Sequence, residues 1–62
     1  MKIKDLRQIR ERKGVTQVKC SKDTNIPLRT YQRYEMGENI GDPEYLCRLM
    51  IYFNIKPTDL VE

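Results

Sequence analysis

The sequence predicts an all-α fold of five short helices, approximately residues 3–13, 17–23, 27–36, 43–53 and 57–61. Three observations carry that prediction. No segment alternates apolar and polar residues long enough to make a half-buried strand, so no strand is expected. Apolar residues recur instead at three- and four-residue spacings, most fully at Leu46, Leu49, Met50 and Phe53. Helix start and stop signals also punctuate the chain at short intervals, at Gly14, Thr16, Asn25, Pro27, Gly37, Asp42-Pro43 and Asn54.

The first helix has Ile3, Leu6 and Ile9 as one apolar stripe among Lys2, Lys4, Arg7, Arg10, Arg12 and Lys13. Gly14 ends it behind cations that suit its C-terminal dipole, and Val15 packs under the next helix. Thr16 is the N-cap of the second helix, accepting from an amide two or three residues on. Lys19, three positions further, is neither Glu nor Gln, so no reciprocal capping box forms. The second helix has little apolar content, and Cys20, with Val18 or Ser21, supplies its core contact. Ser21 also gives a short side chain where two helices cross steeply.

Thr24-Asn25-Ile26 breaks the helix, with Asn25 best able to adopt a left-handed conformation. Pro27 suits the first turn of the third helix, and Gly37 ends it. At about 100° per residue, Leu28, Arg29, Gln32, Arg33 and Met36 fall within an arc of roughly 140°, with Tyr31 and Tyr34 opposite. One face is rich in Arg and Gln and the other in rings. After a loop at Glu38-Asn39-Ile40-Gly41, Asp42-Pro43-Glu44 starts the fourth helix as N-cap, N1 and first-turn carboxylate. Asn54 ends it, and Leu60 anchors a last helical turn.

Sixty-two residues make one small domain, 1–62, whose core supplies only a few kcal/mol of net stability. At 39% hydrophobic and 34% charged the chain is globular. No apolar run reaches membrane-spanning length and no signal-peptide core follows Met1, so a cytoplasmic protein with no membrane association is expected. The net charge of +3 hides an asymmetry. Residues 1–34 carry ten Lys/Arg against three Asp/Glu, and residues 35–62 carry two against six. Such a dipolar molecule favours a polyanion approaching its basic side. With no His, no CxxC pair and no glycine-rich phosphate loop, neither a metal, a cofactor nor catalysis is expected. Cys20 and Cys47 read as reduced core residues.

Residues Leu6 to Leu60 resemble the lambda-Cro/repressor-like, or XRE, helix-turn-helix family. The resemblance is carried by Leu6-Arg7-x-Ile9-Arg10, Lys13-Gly14-Val15-Thr16-Gln17, Asn25-Ile26 and Arg29-Thr30-Tyr31-x-x-Tyr34-Glu35-x-Gly37. Pro43, the stripe to Phe53, Ile55 and Asp59-Leu60 complete it. It implies that the third helix is a recognition helix. Thr16, Gln17, Leu28, Arg29, Thr30, Gln32 and Arg33 would be the DNA-binding residues, with Gln17 on a phosphate and bracing the recognition helix. Arg10 and Glu35 would form a structural ion pair. Against the family pattern, Asn25 stands for the turn glycine, Thr24 and Cys20 for larger apolar residues, and Pro27 for a side-chain cap. Thr24 and Cys20 weaken the core under the second helix, while the left-handed tolerance of Asn25 makes it acceptable in the turn. Leu28 stands where a polar reader is frequent, and Glu38 replaces a basic residue, implying fewer phosphate contacts.

Two readings follow. One is a sequence-specific DNA-binding transcriptional regulator acting on double-stranded DNA as a homodimer, formed in solution or only on DNA. Its dimer contacts would come from the fourth helix and the C-terminal region, through Ile51, Tyr52 or Val61. The other is an antitoxin-like or anti-regulator module binding a protein partner through Leu28, Met36, Ile51 and Tyr52. Ile51 and Tyr52 read more simply as edges of the core stripe. Salt separates the two, because counterion release makes DNA binding steeply salt-dependent.

Overall fold

The computed structural model describes residues 1–61; Glu62, counted above with the acidic half, lies outside the described residues. The chain runs as β1 (Lys2–Ile3), α1 (Leu6–Lys13), α2 (Gln17–Thr24), α3 (Leu28–Glu35), α4 (Pro43–Phe53), a 3-10 turn (Pro57–Asp59) and β2 (Leu60–Val61). The all-α helix-turn-helix class holds, with four α-helices and a single 3-10 turn in place of the fifth.

Each helix ends where local chemistry ends it. Gly14 (φ +79°) closes α1, its N–H donating to Arg10 O and Glu11 O. Thr16 Oγ1 accepts from the Lys19 amide at the start of α2, and Asn25 (φ +55°) closes that helix in the left-handed region. Pro27 is the extended residue before α3, one position earlier than a first-turn proline, and no side chain caps that helix. After α3 the Gly37 N–H donates to Tyr34 O and the Glu38 N–H to Arg33 O, the double bond of a Schellman turn. Gly37 makes this turn at φ +98°, a backbone conformation that residues with a side chain rarely adopt. Asp42 accepts from the Glu44 and Tyr45 amides to start α4, and Asn54 (φ +53°) ends it.

The core gathers Ile3, Leu6, Cys20, Ile26, Tyr31, Ile40, Leu49 and Ile55, all buried, with the half-buried Leu46, Met50 and Phe53 packed against it. Cys20 is fully buried, as the weak apolar content of α2 requires. Thr24 is buried too, and its hydroxyl donates to Cys20 O at 2.7 Å, so its polar atom is satisfied. Ser21 contributes more than small size: its hydroxyl donates to Ile26 O and ties the end of α2 to the corner.

Several expectations are corrected. The first helix begins at Leu6 rather than at residue 3, and, against the expectation of no strand, Ile3 lies with Lys2 in β1, which pairs antiparallel with β2 in the register Lys2↔Val61 and Ile3↔Leu60. Asp5 at φ +55° turns the chain from that strand into α1, so the Ile3 side chain enters the core from a strand. Residues 57–61 accordingly split into the 3-10 turn and β2. Ile40, assigned to a loop, is buried, and its N–H donates to Met1 O at 2.7 Å. Cys47 is exposed on α4 rather than in the core, and both cysteines are free. Ile51 is no core edge, being 75% exposed. Tyr52 is half-buried, its hydroxyl donating to Asp23 Oδ2 at 2.7 Å. Burial and the neighbouring Asp23 carboxylate push that phenol up to about 12.

Asp42 satisfies two orphan amides of α4 at once, so Asp42→Ala should lower stability by about 1 kcal/mol. For a chain of this size that is a fall of about 4–8 °C in melting temperature, readable by circular dichroism. An unchanged melting temperature would show that the cap contributes nothing.

Candidate nucleic-acid interface

The helix pair α2–α3 is held to α1 by a charged group placed inside. Glu35, at the end of α3, has a side chain only 6% exposed, and Arg10 of α1 has one 14% exposed. Arg10 Nε donates to Glu35 Oε2 at 2.6 Å, and Arg10 Nη1 donates to Val15 O at 2.9 Å. Gln17 Nε2, in the first turn of α2, donates to Glu35 Oε1 at 3.0 Å. Both carboxylate oxygens are therefore engaged, one by each of two other helices.

The relay continues to the surface. Gln32 Nε2 donates to Gln17 Oε1 at 3.2 Å, so one amide side chain links the buried carboxylate to the exposed face of α3. A shallow groove lies over this junction, lined by Arg7, Arg10, Gln17, Gln32, Glu35 and Met36. Burial alone raises the Glu35 carboxyl. The Tyr31 hydroxyl beside it, Arg10 and Gln17 together outweigh that effect and hold it below its ordinary value of 4.5. Tyr31 is fully buried and its hydroxyl has no hydrogen-bond partner among the described residues. Burial is also the main cause that pushes its phenol, and the Cys20 thiol to about 11, upward.

The outer face of α3 sorts as the helical periodicity predicts. Arg29, Gln32 and Arg33 are exposed, and Met36 is 80% exposed. Leu28 and Thr30 are half-buried, while Tyr31 and Tyr34 turn inward. The Arg29 side chain makes no hydrogen bond or ion pair among the described residues. Arg33 differs: its Nε donates to Glu38 Oε2 at 3.0 Å and its Nη2 to Glu38 Oε1 at 2.8 Å. Sequence reasoning saw Glu38 only as a missing cation. Its five-residue offset from Arg33 across a glycine turn was the available signal, since a Schellman turn brings those two residues together.

Thr16 and Gln17 stand together at the N-terminus of α2, so the hydroxyl, the amide and the first-turn N–H groups sit beside the exposed face of α3. Hydrogen-bond donors at a helix N-terminus suit a phosphate, and a helix presenting Arg and Gln suits the acceptor-rich edge of a major groove. The described residues hold no cluster of metal-ligating side chains, and no helix is long and apolar enough to cross a membrane.

Comparison with known proteins adds the family. The model of a family described as helix-turn-helix matches residues 6–60. No curated protein and no solved structure gives a significant match to the chain.

The Glu35 cluster makes a pH prediction. A carboxyl with a lowered folded-state pKa stabilises the fold fully above its ordinary value of 4.5 and loses that contribution as pH falls through the lower folded value. Glu35→Gln, which keeps an acceptor oxygen for Arg10 but not the charge, should remove this acid-limb dependence and destabilise the fold by about 1–3 kcal/mol at neutral pH. Urea titration of both proteins from pH 7 to 3 measures it. Parallel acid limbs would assign the pH dependence elsewhere.

Proposed function

The chain belongs to the lambda-Cro/repressor-like helix-turn-helix family of DNA-binding regulators, and on that premise we propose that it is a sequence-specific transcriptional regulator of the Cro type with α3 in the major groove. The observation that carries this reading is the outer face of α3. Arg29, Gln32 and Arg33 are exposed on a helix whose inner face is locked by Tyr31 and whose end is held by Glu35. Such a helix presents its side chains without having to be ordered by the ligand, which reduces the entropic cost of binding.

In this reading Arg29 and Arg33 donate to guanine O6 and N7, with Gln32 beside them and Leu28 and Thr30 against a thymine methyl or a sugar edge. Thr16 and Gln17 meet a phosphate at the start of α2, and Gln17 passes that position on to Gln32. Base contacts specify and phosphate contacts position, so the two sets are expected to respond differently to substitution. The regulator acts as a dimer on two half-sites about 34–36 Å apart, one helical turn.

A second reading keeps the fold and changes the ligand. Ile51 at 75% exposure, beside the exposed Cys47 on α4, favours an additional apolar contact with a protein. That partner would be a second copy of the chain or another protein, as for an antitoxin-like module.

Selection of random duplexes at about 50 and 200 mM salt tests the regulator reading, since phosphate neutralisation makes affinity fall steeply over that range. The expected product is a palindrome with guanines at symmetric positions. Arg29→Ala should cost about 1–3 kcal/mol at one base position and leave binding to random duplex little changed. Equal losses on selected and random duplex would make Arg29 a phosphate contact, and no enriched motif would overturn specific recognition.

A further inference from the structure

The contact between Arg33 and Glu38 has a geometry that bears on how bases are read. A guanidinium offers five N–H donors. Glu38 occupies one edge of the fork: Nε donates to Oε2 at 3.0 Å and to Oε1 at 3.2 Å, and Nη2 donates to Oε1 at 2.8 Å. Both donors on Nη1 and the second donor on Nη2 stay free. One donor on each of Nη1 and Nη2 forms the end-on fork, an edge able to donate to guanine O6 and N7 together. The carboxylate thus holds the guanidinium by its side and leaves its working end open.

Glu38 is itself held. Its N–H donates to Arg33 O at 3.3 Å in the turn that Gly37 makes at φ +98°. Backbone and side chain therefore tie the same two residues in opposite directions, donor to acceptor each way. Exposed ion pairs usually contribute little because both long side chains must be frozen, and these two are 61% and 47% exposed. Here the turn supplies one partner already placed. Holding Arg33 this way costs attraction: a carboxylate near the duplex repels phosphates on every sequence alike. Weaker binding to all sequences combined with tighter geometry at one base is the signature of a specificity device.

We propose that Glu38 is a positioning residue for Arg33, fixing the guanidinium through its Nε/Nη2 edge so that the Nη1/Nη2 end reads a single guanine. The inference rests on the reading that Arg33 meets a base. Selection with the wild-type chain and with Arg33→Ala first locates the base position that depends on Arg33. Competition binding then compares wild type, Glu38→Ala, Glu38→Gln and Arg33→Ala/Glu38→Ala on three duplexes: the selected one, one altered at that base, and a random one.

Glu38→Ala should bind the random duplex more tightly while its discrimination at the Arg33 position falls about fivefold or more, at the low end of what one bidentate base contact distinguishes. Discrimination at the Arg29 position should be unchanged. Glu38→Gln, neutral but retaining one acceptor oxygen, should match Ala on the random duplex and lie between Ala and wild type in discrimination. In the Arg33→Ala background, Glu38→Ala should alter no base preference. Tighter binding to all three duplexes by one common factor would overturn the inference and leave Glu38 a repulsive charge only, with the regulator reading intact. A wild-type motif lacking any Arg33-dependent base would overturn both the base-reading role of Arg33 and this inference. A wild type that selects no motif would overturn the regulator reading itself.

Discussion

The carboxylate of Glu35 is the group on which the rest of the arrangement depends. It ends α3, lies almost fully out of solvent, and receives donors from α1 and α2. A buried carboxylate is costly unless its lone pairs are satisfied and its charge is met. Arg10 supplies the charge, and Gln17 fills the second oxygen. Three helices therefore share one electrostatic requirement, and any rotation of α3 about its axis leaves a charged group unmet. The Tyr31 hydroxyl, without a hydrogen-bond partner among the described residues, lies beside the same carboxylate.

Around that point the short helices are placed by their ends more than by their lengths. Helices α1, α2 and α3 have eight residues each, too few to be stable alone in water. Their termini are set instead by Gly14, Thr16, Asn25 and Gly37, and by the Ser21 hydroxyl on Ile26 O. The two-stranded sheet of β1 and β2 then ties residues 2–3 to residues 60–61 beside the core, with Lys4 N–H donating to Asp59 O at 2.7 Å. The result is a small body whose α3 helix projects polar groups from a fixed seat. The Gln17–Gln32 contact carries the same restraint outward to the surface.

Much of this was legible in the sequence, for a physical reason. Caps and turns are local, so Thr16, Asn25, Gly37, Asp42-Pro43 and Asn54 each announce themselves within a few residues. The sorting of α3 into an Arg/Gln face and a tyrosine face follows from helical periodicity alone. The association of Arg10 with Glu35 came from family resemblance, because no periodicity links two positions on separate helices. What escaped was non-local. A two-residue strand is too short to show alternation, and Lys2–Ile3 is a strand only because Leu60–Val61 lies beside it. The three-residue spacing of Ile3, Leu6 and Ile9 fitted a helix equally well, and only the left-handed Asp5 separates the two. Ile40 is buried because the N-terminal segment folds over it, while Cys47 is exposed because α4 has more apolar positions than the core can cover.

The central claim is that the duplex is met by the exposed face of α3 together with the start of α2, on a seat set by Glu35. Titration of isotopically labelled protein with its selected duplex, followed by NMR, tests this most directly. The account predicts large shifts at Thr16, Gln17, Arg29, Gln32 and Arg33, with the Arg10 and Glu35 side-chain signals moving little because their contact is already made. Shifts concentrated at Cys47 and Ile51 on α4, with α3 unmoved, would contradict it.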